Sequence, residues 1–233
     1  MTQSLNDEDD MNVESKQLSY RILPPDSAAI DPEVFVAFTL DGAEVEEYRA
    51  LRTQLSLRWF EGNRKSLLFT STRDGQGASH TVANLAILFS QMGLKTILID
   101  ANLRNPVQHD LFRLDNSKGL ADLLSSKSNE NHIQKVRGFE YLHVLTAGSS
   151  LPNPLELLSI KNFWTAVEQA YDIVLIDSPP ALEFSDAQLI ASQVGGAVIV
   201  ARLNDTKKSD LKKLEQQLEI AKAAKVGVVL KDF

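Results

Sequence analysis

The run Thr70 to Thr81 reads TSTRDGQGASHT. Gly75 and Gly77 allow turns that aim successive backbone N–H groups at an anion, and Ser79 is a hydroxyl of the kind that holds magnesium in the pattern G-x-x-x-x-G-K-[ST]. The apolar SLLF comes before it and the helical-looking VANLAILFSQM after it, so a helix amino terminus would point its partial positive charge at a bound phosphate. The lysine of the pattern is absent, and Ala78 stands in its place. That removes a charge-assisted contact worth roughly 1.5–3 kcal/mol, at least about tenfold in nucleotide affinity. Read alone, DGQG is a glycine turn between a strand and a helix.

Two further stretches change that balance. TILIDANLRNPVQHDLF (96–112) and IVLIDSPP (173–180) each put an aspartate, Asp100 and Asp177, at the carboxyl end of an apolar strand, where open parallel sheets gather their ligands. Either aspartate could simply end its strand, but two of them plus the loop converge on one crevice, which favours a ligand site. The four histidines are scattered, and none has a second metal ligand at useful spacing. The absence of cysteine excludes disulfides and cysteine-ligated metals.

The elements that must position these residues alternate along the chain. Strands are expected at 66–71, 95–100, 141–146, 172–177, 196–202 and 226–230, all nearly continuous in apolar residues and therefore suited to burial on both faces. Helices are expected at 43–60, from Val82 to a stop at Gly93, and from Lys207 to Ala224. This alternation predicts an α/β fold: a doubly wound, mostly parallel sheet with helices on both faces.

Charge divides the 233 residues unevenly. Of the net charge of -7, residues 1 to 33 carry -6, from eight acids against Lys16 and Arg21. Residues 1–40 read as an acidic, disordered tail and 41–233 as the domain. The nearly neutral body disfavours nonspecific nucleic-acid binding. No window approaches the roughly 18 apolar residues of a membrane span, and the acidic amino terminus does not look like a secretory signal, so a cytoplasmic protein is expected.

The loop, DANLR (Asp100 to Arg104) and DSPP (Asp177 to Pro180) resemble the bacterial tyrosine kinases of polysaccharide export, in the deviant-Walker branch of P-loop ATPases related to the MinD and ParA proteins. PNPLELLS (152–159) continues the match, as does EEYRALR, where Glu46, Arg49 and Arg52 fit an E-x-x-R-x-x-R element. LRTQLSLRWF, FSQMGLKTILIDANLRNPVQHDLF, DAQLIA and VVLKDF are closest to the chain-length-determinant tyrosine kinases of exopolysaccharide clusters. The resemblance covers roughly residues 44 to 233.

It implies ATP and Mg2+ as cofactors, with Ser79 and Asp177 at the metal and Asp100 as base for a tyrosine hydroxyl. Asp74, Gly75, Gln76, Gly77, Ala78, Ser79 and His80 would line the phosphates, with Asn102 and Arg104 from the second motif. Asn102 replaces that motif's second aspartate and brings no charge. Arg73 occupies the place of the partition ATPases' signature lysine, where its guanidinium could replace some of the lost charge. Glu46, Arg49 and Arg52 would lie at a subunit contact, or form an ordinary salt-bridge ladder on one helix face.

The chain lacks the terminal tyrosine run of many family members. Tyr20 and Tyr48 are then the accessible phosphoacceptor candidates, while Tyr141 and Tyr171, at strand starts, read as structural. The implied partner is the cytoplasmic segment of an inner-membrane copolymerase, through which alone the chain would meet the membrane, along with self-association. Three classes of function follow: an active kinase regulating polymer length, a degenerate regulatory subunit of the same system, or a positioning ATPase. The last is disfavoured by the missing lysines.

Overall fold

The computed structural model describes residues 30–39, 41–125, 132–149, 155–158 and 161–232. Its strands are β1 Ser66–Ser71, β2 Thr96–Asp100, β3 Gln134–Lys135, β4 Leu142–Leu145, β5 Ile173–Asp177, β6 Gly196–Arg202 and β7 Ala224–Lys231. They form one sheet in the order β3-β4-β2-β5-β1-β6-β7, parallel throughout except where β3 meets β4.

Because successive side chains of a strand point to opposite faces, each apolar strand feeds two layers at once. Leu67, Phe69, Leu98, Leu175, Val198 and Val200 face one layer. Their neighbours Leu68, Ile97, Ile99, Val174, Ile176, Ala197 and Ile199 face the other. The first layer is covered by α1 (Ala43–Arg58), α2 (Ala78–Ser90) and a short 3-10 turn at Phe35–Ala37. The second is covered by α4 (Leu120–Ser125), α6 (Lys161–Ala170), α7 (Asp186–Val194) and α8 (Lys208–Ile220). Two four-residue helices, α3 (Gln108–Leu111) and α5 (Leu155–Leu158), complete the set. Burial on both faces explains why the central strands lack the alternation of a half-exposed sheet.

Described residues ahead of the boundary expected near Asp41 also pack on the domain. Ile30, Val34, Val36 and Ala37 are buried against α2 and its neighbours. Asn84 of α2 fastens this segment, accepting from Val36 N (3.2 Å) and donating to Glu33 O (3.2 Å). Asp31, Pro32 and Glu33 separate Ile30 from the short apolar run VFVAF (34–38), which is too brief to show a strand or helix period. The acidic stretch up to residue 29, with Tyr20, and residues 152–154 and 159 of the expected family match lie outside the described residues.

Two limits move for local reasons. The last helix ends at Ile220, because Lys222 turns left-handed (φ 55°) and the chain enters β7 at Ala224. The first helix ends at Arg58 and passes into a 3-10 turn at Phe60–Gly62. There Trp59 lies buried, its indole N–H donating to Ser66 O at 2.8 Å.

Candidate functional site

The glycine-rich loop leaves β1 at Ser71 and enters α2 at Ala78. Gly75 (φ 75°) and Gly77 (φ 85°) are left-handed, a conformation that costs residues with a Cβ roughly 1–2 kcal/mol. Gly77 is the N-cap of α2 and no side chain among the described residues caps it, so its first-turn N–H groups are open to an anion.

Gln76 holds the loop's shape. Its buried Oε1 accepts from Thr72 N (3.0 Å), Thr72 Oγ1 (2.9 Å) and Arg73 N (3.3 Å). Its Nε2 donates to Thr206 Oγ1 (2.7 Å) and Asp205 Oδ2 (3.2 Å), tying the loop to the turn after β6. Asp74 accepts from Gly75 N at 2.9 Å. A cavity of about 100 Å3 opens at the loop, lined by Asp74 to His80 together with Asn102, Val107, Ser178 and Pro180.

Asp100 and Asp177 are register partners at the ends of β2 and β5, and both are fully buried. Asp100 accepts backbone N–H bonds from Asn102 (3.2 Å), Val107 (3.1 Å) and Gln108 (3.0 Å). Burial, and then the neighbouring Asp177 charge, still hold its carboxyl well above the usual range. Burial likewise pushes Asp177 up to about 6, against the opposing pull of Gln108, Ser79 and His80.

Gln108 links the three stretches. Its Nε2 donates to Asp177 Oδ2 (2.7 Å) and Ser79 O (3.1 Å), and two acceptors on one side leave Oε1 buried and unpartnered among the described residues. Nothing in its residue type marks it in sequence, because a neutral amide inside NPVQHDLF looks like any helix-start residue. Asn102 lines the cavity, with Oδ1 accepting from Asn105 N at 3.1 Å.

The arrangement fits Mg2+ held jointly by protein and phosphates. Asp177 Oδ1 is buried without a partner among the described residues, next to a second carboxylate and the Ser79 hydroxyl. No cluster of three His, Cys, Asp or Glu side chains among those residues could hold a metal by itself. A magnesium ion carried by one or two carboxylates plus phosphate oxygens needs no more.

Several of the other candidates are drawn into contacts of their own, although His80 also lines the loop cavity. Arg104 reaches the fully buried Asp186 at the start of α7 (Nη2 3.0 Å, Nε 3.3 Å) and covers the Phe184 ring at 4.2 Å, away from the loop cavity. Arg73 is drawn to Asp205 (O 2.9 Å, Oδ1 3.2 Å). His80 pairs with Glu33. Glu46 and Arg49 form an exposed pair, whereas Arg52 turns inward to Leu88 O (3.4 Å), where burial lowers its pKa.

The tyrosines are corrected too. Tyr48, expected to be accessible, is only 5% exposed, packed edge to face on Phe35. Tyr141, expected to be structural, is 44% exposed, while Tyr171 is buried as expected.

Known proteins are similar to this chain in sequence and in fold. The AAA domain family matches residues 65–224. Tyrosine-protein kinase YwqD of Bacillus subtilis (strain 168) is 37% identical over 188 residues, covering 79% of each chain. The crystal structure of the chimerical protein CapA2B2 superposes with a TM-score of 0.80 at 32% identity, over 87% of this chain and 90% of that one. The kinase domain of Escherichia coli tyrosine kinase ETK does so with a TM-score of 0.77 at 33% identity, over 81% and 75%.

Proposed function

The chain belongs to the bacterial tyrosine-kinase family of polysaccharide export, and from that premise we propose that it binds a magnesium nucleoside triphosphate and acts with a membrane copolymerase in setting exopolysaccharide chain length. The observation that carries the nucleotide reading is the pairing of Asp100 with Asp177, one oxygen of Asp177 having no partner among the described residues.

In this reading the N–H groups at the start of α2 bind the phosphates, and Gln76 keeps the loop folded before they arrive. Ser79 and Asp177 hold the metal, which when bound neutralises charge on the outer phosphates. Asp100, held by three backbone N–H bonds, takes the proton from an acceptor tyrosine hydroxyl, and its raised pKa makes it the stronger base.

Ala78 favours a second reading in which phosphotransfer is weak or absent and the chain serves as a regulatory subunit of the same export system. Arg73 is engaged by Asp205, so compensation by this guanidinium requires that pair to open. No helix among the described residues is long and apolar enough to cross a membrane, in keeping with membrane contact through a partner. The exposed Glu46–Arg49 pair is the proposed site of self-association.

The deciding experiment measures ATP binding and tyrosine phosphorylation for the wild type and Ala78→Lys, each with and without the partner's cytoplasmic segment. Strong wild-type phosphorylation without the partner eliminates the regulatory reading. Absence of ATP binding in every sample eliminates the nucleotide reading and leaves the regulatory one.

A further inference from the structure

The side chain of Gln76 is engaged at both ends of its amide, and the residue is only 1% exposed. The oxygen meets the backbone N–H groups of Thr72 and Arg73 and the Thr72 hydroxyl, and the nitrogen donates to Thr206 Oγ1 and Asp205 Oδ2. Only one orientation of the amide works, because a flipped one would set its N–H groups against the two backbone donors. Thr206 Oγ1 also accepts from Arg202 N at 2.8 Å, at the last residue of β6, so this anchor is itself fastened to the sheet. Asp205 uses its other carboxylate oxygen and its carbonyl on Arg73.

We propose that Thr206 is a positioning residue for phosphate binding: its hydroxyl, acting through Gln76 and supported by Asp205, sets the shape of the glycine loop before an anion arrives. The inference rests on the nucleotide reading above and deepens it. With Gln76 held in place, the N–H groups of Thr72 and Arg73 are turned toward its oxygen, and the anion is left to those at the start of α2. A loop that had to reorganise on binding would lose that cost from its affinity. In a loop with Ala78 in the lysine position, a lost shape is not offset by a charge-assisted contact from that residue. A neutral amide is also what this place requires. A carboxylate at position 76 would have no N–H for Thr206 and would face the carboxylate of Asp205.

Thr206 lies outside the glycine loop and both aspartate motifs, 130 residues from Gln76. In NDTKKSD it reads as an ordinary turn residue ahead of a helix, and only the pairing of β1 with β6 brings it to the loop.

The test combines residue-resolved amide hydrogen exchange of the ligand-free whole chain with calorimetric binding of magnesium ATP and magnesium tripolyphosphate. Thr206→Val keeps the shape of the side chain and loses the hydroxyl. Exchange at Thr72 and Arg73 should quicken by about tenfold, and both ligands should bind about three- to tenfold more weakly. Thr206→Ser should return exchange and binding to within about twofold of the wild type. In a Gln76→Met background, Thr206→Val should weaken binding by less than about twofold, the mark of a residue that acts through Gln76. Should Thr206→Val fail to fold, Thr206→Ala carries the same measurements. Unchanged exchange at Thr72 and Arg73 in the hydroxyl-less variant overturns the inference, as does unchanged ligand binding. Losses that Thr206→Ser does not restore, or that persist in full in the Gln76→Met background, overturn it by assigning Thr206 to packing. In each of these cases wild-type binding leaves the nucleotide reading standing. Binding of neither ligand to the wild type removes the nucleotide reading itself, and this inference with it.

Discussion

The side-chain amide of Gln108 donates to Asp177 across 2.7 Å, while the Gln108 backbone N–H holds Asp100 at 3.0 Å. One uncharged residue thus orients both carboxylates. Gln108→Met keeps the length and the backbone bond but loses the amide, so stability to urea should fall by about 1–2 kcal/mol. The Mg2+ concentration for half-maximal nucleotide binding should rise about threefold or more, because Asp177 loses support for its charge. Lost stability with an unchanged Mg2+ requirement would assign Gln108 to packing alone.

Asp177 gives a pH signature. Its folded pKa of about 6 lies above the unfolded value, so the folded state holds the proton more tightly. That contribution to stability is complete below about pH 4 and is lost as pH rises through about 6. Asp177→Asn keeps an acceptor for Gln108 and does not titrate. In metal-free melts its stability relative to the wild type should improve by roughly 1 kcal/mol between pH 5 and pH 7.5. A pH-independent difference would mean that Asp177 is not the group that titrates in this range.

Arg104 stands in a motif expected to meet nucleotide, yet it neutralises Asp186, whose side chain is fully buried. Arg104→Met should destabilise the fold by roughly 2–3 kcal/mol, with nucleotide affinity moving less than about twofold at temperatures where the variant is folded. Adding Asp186→Leu should recover part of the loss. A large affinity change in a folded Arg104→Met would return Arg104 to the ligand.

Ala78 begins α2 and lines the loop cavity. A lysine there supplies the missing cation to the phosphates, so Ala78→Lys should bind ATP about tenfold more tightly. Unchanged affinity, with the variant folded, would mean that the loop does not place residue 78 against a phosphate.

Much of this was legible in sequence, and for a physical reason. Strands buried on both faces run nearly continuously in apolar residues, which is why SLLFTS and GAVIVAR coincide with β1 and β6. Asp100 and Asp177 stood out because a charge ending such a run needs a partner. What stayed hidden depends on contacts between distant segments. Burial of Tyr48 comes from Phe35 and Lys231, and the destination of Arg104 from Asp186, none of which a local pattern predicts. The β3 pairing is two residues long, too short for a period to register.

The parallel order of the sheet also dictates when the site can exist during synthesis. β1 is hydrogen-bonded to β5 and β6, with Ser66 opposite Val174 and Leu68 opposite Ala197. A ribosome that has released only the first half of the chain therefore exposes the glycine loop without Asp177, and with a strand whose two flanking partners are still untranslated. The site is complete only after residue 177 has left the exit tunnel, and until then the bare edges of β1, and of β2, which awaits β4 and β5, are exposed to mispairing.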